Sequence, residues 1–136
     1  MGDIEQGEGW AVAHLDDLGE GPGFRKIRPA LGVEEMGVNA IVMPAGVESG
    51  FHFHDRQEEV YFVHSGVLEI EFGDGAVQEL GPGGIARVAA ATHRKTRNRG
   101  PADAVYVVFG AEGGYVGRDG RNPEGEAGVR VRQIDG

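Results

Sequence analysis

Glycine and proline recur so closely between about residue 36 and residue 110 that no long amphipathic helix fits there. The segments between them are short and rich in β-branched or aromatic side chains. Residues 24–31, 37–46, 59–66, 67–72, 76–80, 84–89 and 104–110 read as strands, and strands of this length with turn residues at each end predict an all-β sandwich or barrel. The run VLEIEF-GDG-AVQEL reads as a hairpin, with Leu68, Ile70 and Phe72 on one face and Glu69 and Glu71 on the other.

With 136 residues the chain suits one compact domain that buries roughly two-thirds of its unfolded surface. Three regions are expected: an N-terminal extension with a first strand (residues 1–35), the β-barrel (36–110) and a polar, glycine-rich C-terminal tail (111–136). The segment HLDDLGEGPG near the start has room for a single helical turn. The tail is weakly patterned, so it either wraps the surface or is disordered.

Charge and cysteine usage narrow the chemistry. Thirteen Lys and Arg against 22 Asp and Glu give a formal net charge of −9, which disfavours nonspecific binding to nucleic acid or anionic lipid. There is no cysteine, so a metal site must use nitrogen and oxygen ligands. The acidic N-terminus has no basic region followed by an apolar run, and nowhere do eighteen apolar residues stand together. A soluble, cytoplasmic protein is the expectation.

Within that frame the stretch GFHFHDRQEEVYFVHSG, residues 50–66, is where ligand-type side chains gather. Residues two apart in a strand share a face, so His52 and His54 present both imidazoles to one side. A four-residue connection and the next strand then offer Glu59, with Tyr61 and Val63 continuing its face. Two imidazoles and a carboxylate converging on one point suit a divalent transition metal such as Mn, Fe, Zn or Ni. The plainer alternative is a chance pair of surface histidines with no metal at all.

The spacing carries a family resemblance. Gly46, five residues, His52, one residue, His54, four residues, Glu59, six residues, Gly66 resembles the first motif of the cupin superfamily without a mismatch. The resemblance covers residues from about 36 to 110 and implies a single-domain cupin-like β-barrel, a double-stranded β-helix of jelly-roll type, with a metal in its mouth. Its six-residue interval to Gly66 selects Glu59 rather than Glu58 as the ligand.

The second motif departs from the family. Its pattern of Gly, five residues, Pro, one, Gly, two, His, three, Asn falls here on Gly83, Ala89, Ala91, Arg94 and Asn98. The intervals survive while Arg94 stands at the position of the fourth ligand. His93 lies one residue earlier, and a one-residue slip makes it that ligand. A slip that turns His93 inward also turns Lys95 and Arg97 inward, because strand side chains alternate, and unpaired buried charge costs several kcal/mol per ion. In register the inward set is Arg94, Thr96 and Asn98, with Glu59 as partner for the one cation. Parity therefore favours Arg94 inward, although a β-bulge reverses the choice. Arg94 then either binds a substrate carboxylate or phosphate beside a three-ligand metal, or pairs with Glu59 and displaces the metal.

Other features point less far. Arg94, Lys95, Arg97 and Arg99 lack an aromatic stacking platform and read as a solvated strand edge rather than a nucleic-acid patch. His64 falls on the face opposite Glu59, and His14 has no companion. Tyr61 and Tyr106 either line the pocket with a hydroxyl or simply pack, Tyr61 being the candidate substrate contact. No nucleophile elbow, phosphate-binding glycine loop or dinucleotide fingerprint is present. The expectation is a small-molecule-binding protein with a metal on His52, His54 and Glu59, the resemblance implying an oxygenase, isomerase, cyclase or lyase. The alternative is a noncatalytic binding or sensor module in which Arg94 helps hold a small anion. Strands apolar on both faces, such as AVYVVFG, together with the resemblance, point to a homodimer.

Overall fold

The structure is a computed structural model that describes residues 4–117, 119–125, 128 and 131–134. Its strands in chain order are β1 (Glu5–Gly7), β2 (Trp10–Val12), β3 (Gly23–Arg25), β4 (Gly37–Met43), β5 (Val47–Ser49), β6 (Phe53–His54) and β7 (Glu58–Ser65). They continue with β8 (Leu68–Phe72), β9 (Val77–Leu80), β10 (Ile85–Val88), β11 (Arg94–Asn98), β12 (Ala104–Ala111), β13 (Gly120–Arg121) and β14 (Val131–Gln133). One helical turn, α1 (Ile27–Leu31), lies between β3 and β4, and a 3-10 turn spans Leu15–Asp17.

Two antiparallel five-stranded sheets make the body, one in the order β10-β7-β12-β4-β3 and the other β14-β5-β11-β8-β9. Their inner faces share one core. Met43, Tyr61, Val63, Val88 and Tyr106 come from the first sheet and pack with Leu68 and Ile70 of the second. Burying a Leu or Ile of this kind stabilises by roughly 1.5–3 kcal/mol. This is the all-β sandwich that the strand pattern predicts, in the double-stranded β-helix form that the resemblance implies.

The β8–β9 hairpin has the expected faces: Leu68 and Ile70 are buried, while Glu69 and Glu71 point to the other side of the sheet. Its turn closes through the Phe72 N–H donating to the Ala76 carbonyl, with Gly75 in the left-handed region at φ 91. On the first sheet, register places Ile85 beside Phe62, Phe62 beside Val107 and Val107 beside Ala40. That row lies on the side away from the core, where Ile85 is 67% and Phe62 38% exposed while Ala40 at the other end is fully buried.

The predicted strand over 24–31 is corrected: it ends at Arg25, and residues 27–31 form a helical turn capped by Gly32 at φ 72. Pro29 is compatible with this because the first turn of a helix leaves its N–H groups unbonded in any case. The tail is surface-bound where it is described. Gly120 and Arg121 pair with His54 and Phe53, and Val131–Gln133 pair with Val47–Ser49. Residues 118, 126–127, 129–130 and 135–136 of the predicted tail lie outside the described residues. Among the described residues no helix is long and apolar enough to cross a membrane.

Candidate functional site

His52, His54 and Glu59 reach one point from two pieces of chain. His52 sits just before β6 and is clamped to β11, exchanging both backbone hydrogen bonds with Arg94 at 2.9 Å each. His54, on β6, donates its N–H to the Ala90 carbonyl at 2.8 Å. Glu59 lies near the start of β7, between Val88 of β10 and Gly110 of β12. All three are buried, and each offers a ligand atom within 4.8 Å of the others. The site opens into a cavity of about 1020 Å³ whose walls include Asn39, Ser49, Thr96, Tyr106 and Val108.

Glu59 Oε1 is the most contacted atom of the group. His54 Nε2 lies 3.2 Å from it, Tyr61 Oη donates to it at 3.0 Å, and Arg94 Nη2 donates at 2.9 Å. Burial pushes the Glu59 carboxyl up, but His54 and Arg94 outweigh that and bring it down to about 2. Burial and the Arg94 charge push the His52 imidazole down to about 4, against a smaller pull upward from Glu59. At neutral pH the pair is therefore a neutral imidazole with a lone pair to give and an ionised carboxylate. Burial, and next the Glu59 charge, hold the Tyr61 phenol well above its ordinary value, so it acts as a hydrogen-bond donor.

Arg94 is fully buried, with 0% of its surface exposed. Its guanidinium is spent locally. Nη1 donates to the Thr92 carbonyl at 2.6 Å and the Ala90 carbonyl at 3.2 Å, Nε faces Tyr61 Oη at 3.4 Å, and Nη2 takes Glu59. His93 is not among the converging residues. Its ring stacks on Phe53 with centroids 4.7 Å apart. His64 is exposed on the outer face of β7, and exposed His14 accepts from the Asp16 N–H.

The neighbouring basic residues have carboxylate partners across the outer face of the second sheet. Arg97 lies 2.9 Å from Glu69, 2.7 Å from Glu71 and 3.3 Å from Glu48, while Lys95 is 3.6 Å from Glu48 and Arg99 is 3.2 Å from Glu69. The solvated strand edge expected for this cluster is corrected: β11 is the central strand of its sheet, Arg94 and Arg97 are buried, and the outward cations are paired with carboxylates of β5 and β8.

Two residues at the site carry no signal in the sequence. Gln57, in the β6–β7 connection, is buried with its Nε2 3.3 Å from His54 Nδ1. Asp119, from the tail, brings its Oδ2 to 3.4 Å from the same nitrogen. Asp119 follows a glycine-rich stretch with no periodicity, so nothing local marks it.

The donor set fits a divalent transition metal: two imidazole nitrogens and a carboxylate oxygen, all buried, with the His52 imidazole neutral and the Glu59 carboxylate ionised.

A family model described as "Cupin domain" matches residues 39–110. Among solved structures, the chain is similar to an uncharacterized conserved protein with a double-stranded beta-helix domain from Klebsiella pneumoniae. The TM-score is 0.64 at 21% identity, over 90% of this chain and 91% of that one. A putative sugar phosphate isomerase from Acidithiobacillus ferrooxidans gives a TM-score of 0.62 at 22% identity, over 76% of this chain and 72% of that one. The DMSP lyase DddQ from Ruegeria pomeroyi gives 0.59 at 23% identity over 68% of this chain, which spans only 45% of the lyase. A search of curated proteins found no match. At these identities the likenesses establish the fold.

Proposed function

This chain belongs to the cupin domain family, and from that premise we propose that it is a small-molecule-binding cupin in which His52, His54 and Glu59 hold one divalent transition metal. The observation that carries the reading is the convergence of three buried ligand atoms within 4.8 Å at the wall of a cavity of about 1020 Å³. Nitrogen and oxygen donors of this kind suit Mn, Fe, Zn or Ni. When bound, such a metal supplies Lewis acidity or an oxygen-activating centre, with open positions for substrate.

The chain's own residues supply the rest. Arg94 and Tyr61 hold the Glu59 carboxylate ionised and fixed in direction. Thr96 Oγ1, 3.1 Å from Tyr106 Oη and 3.2 Å from Ser49 Oγ, forms a neutral hydrogen-bonding wall on which a small polar ligand can be oriented. Because similar structures are described as a lyase and a putative isomerase, a metal-dependent lyase, isomerase or oxygenase is the enzyme class proposed. The outward apolar row through Ile85, Phe62 and Val107 supports a homodimer covering that face.

A second reading, a noncatalytic binding or sensor module without metal, is favoured by one contact: Arg94 already engages the Glu59 oxygen that a metal would share. Elemental analysis of protein purified without an affinity tag decides between them. Near-stoichiometric Mn, Fe, Ni or Zn is the expected result, and metal content near zero overturns the metal reading in favour of the second.

A further inference from the structure

The tail reaches the histidine pair through one side chain. Backbone pairing of Gly120 with His54 and of Arg121 with Phe53 zips the segment onto β6, and the Asp55 N–H donates to the Asp119 carbonyl at 3.1 Å. This brings the Asp119 carboxylate beneath the β6–β7 connection. Its Oδ2 accepts the Gln57 N–H at 2.8 Å and the Arg56 N–H at 3.0 Å, and Oδ1 lies 3.2 Å from the same Arg56 nitrogen. The remaining neighbour is His54 Nδ1 at 3.4 Å, with both side chains almost wholly buried. Burial pushes the Asp119 carboxyl up, but the Gln57 and Arg56 amides and the His54 ring outweigh it, so its pKa is lowered and the group is an anion at neutral pH.

A neutral imidazole carries one ring proton, and where it sits decides whether His54 can bind metal. If Nδ1 accepts from Gln57 Nε2, the proton is on Nε2, aimed at Glu59, and no lone pair faces the site. If Nδ1–H donates to a carboxylate, Nε2 presents its lone pair beside Glu59 and His52. Without metal, Glu59 Oε1 at 3.2 Å from Nε2 draws the proton to that side; with Nε2 and Glu59 given to a metal, the fixed anion at Nδ1 holds the proton there, the usual arrangement of a carboxylate behind a metal-bound histidine. We infer that Asp119 is a positioning residue for His54, holding its ring proton on Nδ1 so that Nε2 faces the metal, and that the C-terminal segment is thereby part of the metal centre. The inference rests on the metal reading above and adds to it a residue 65 positions further along the chain than His54.

The test compares untagged, full-length wild type with Asp119→Asn and Asp119→Ala. The Asn variant keeps an oxygen for the Arg56 and Gln57 amides but offers His54 no charge, so it separates holding the connection from orienting the ring. Zinc affinity is read by titration against a competing chelator, and the ring proton of His54 by nitrogen-edited NMR of the zinc-loaded protein. Expected are folded variants, a zinc Kd raised about 10- to 100-fold in both, and a slowly exchanging Nδ1–H signal that is present in wild type and lost in the variants. If Asp119→Ala does not fold, Asp119→Asn gives both readouts. Wild-type zinc affinity and an intact Nδ1–H signal in Asp119→Asn overturn the positioning role while leaving the metal reading in place. A wild-type protein that binds no zinc overturns the metal reading itself, and this inference with it.

Discussion

Arg94 and Glu59 form an ion pair inside the fold: Nη2 lies 2.9 Å from Oε1, and no part of the arginine reaches solvent. The two residues stand on different sheets, β11 and β7, so the pair joins the halves of the sandwich next to the histidines. Each charge is tolerable there only because of the other, since desolvating an ion without a partner costs several kcal/mol.

Breaking the pair from one side should therefore be worse than removing both charges. Arg94→Met and Glu59→Gln are each expected to destabilise by about 3–5 kcal/mol, with the double variant more stable than the sum of the two losses allows. Urea unfolding of the four proteins checks this. Strictly additive losses would mean that the two groups do not depend on each other.

For metal uptake, His52→Ala should abolish bound metal and leave a folded protein, because the core cluster of Leu68, Ile70, Val63 and their neighbours does not include it. His93→Ala should be nearly silent, its ring lying on Phe53 rather than at the site. Elemental analysis of the two variants side by side is the measurement. Loss of metal confined to His93→Ala would reverse the assignment.

Acid should weaken the metal-free protein in two adjoining steps. The His52 imidazole, faced by Arg94, Glu59 and His54, is held at about 4 instead of 6.5, so between those values the unfolded chain binds more protons than the folded one. Its stabilising effect is complete above about 6.5 and is lost as the pH falls through 4, a difference of roughly 3 kcal/mol. The Glu59 carboxyl, brought from 4.5 to about 2, stabilises above 4.5 and loses that effect as the pH falls toward 2. Urea midpoints measured from pH 8 to pH 3 should decline first through the His52 window. A flat profile between 6.5 and 4 would show that His52 is not held neutral.

Gly66 is a further sensitive point. It sits in the β7–β8 turn at φ 73, and a Cβ there would fall on the Asp103 carbonyl and the Ala104 backbone at the start of β12. Left-handed backbone alone costs a non-glycine residue roughly 1–2 kcal/mol, and the collision adds to it. Gly66→Ala should lower the thermal midpoint clearly, whereas Gly75→Ala, at φ 91 with open space around it, should show the backbone cost without the collision. Equal losses in the two variants would sink the steric argument.

The chain order of side chains was enough for whatever depends on local periodicity. Alternation along 59–65 and 68–72 puts Tyr61, Val63, Leu68 and Ile70 inside, and the spacing from His52 to Glu59 sets the ligand types on consecutive segments of the chain. Alternation along 94–98 likewise separates Arg94 from Lys95, because a strand has only two faces. The helical turn at 27–31 escaped the same reasoning, since Ile27, Ala30 and Leu31 around Arg28 and Pro29 carry no period over so few positions.

What only the tertiary structure decided are relationships between segments far apart in the chain. Arg94 faces a carboxylate rather than open cavity because β7 happens to lie opposite β11, and its Nη1 meets carbonyls of the turn before it. Asp119 reaches His54 because the tail pairs with β6, a contact between positions 65 residues apart for which no spacing rule exists. Local preference is written in neighbouring residues. The partner of a buried charge is set by which strands the whole fold brings together, and that is fixed by the joint packing of both sheets.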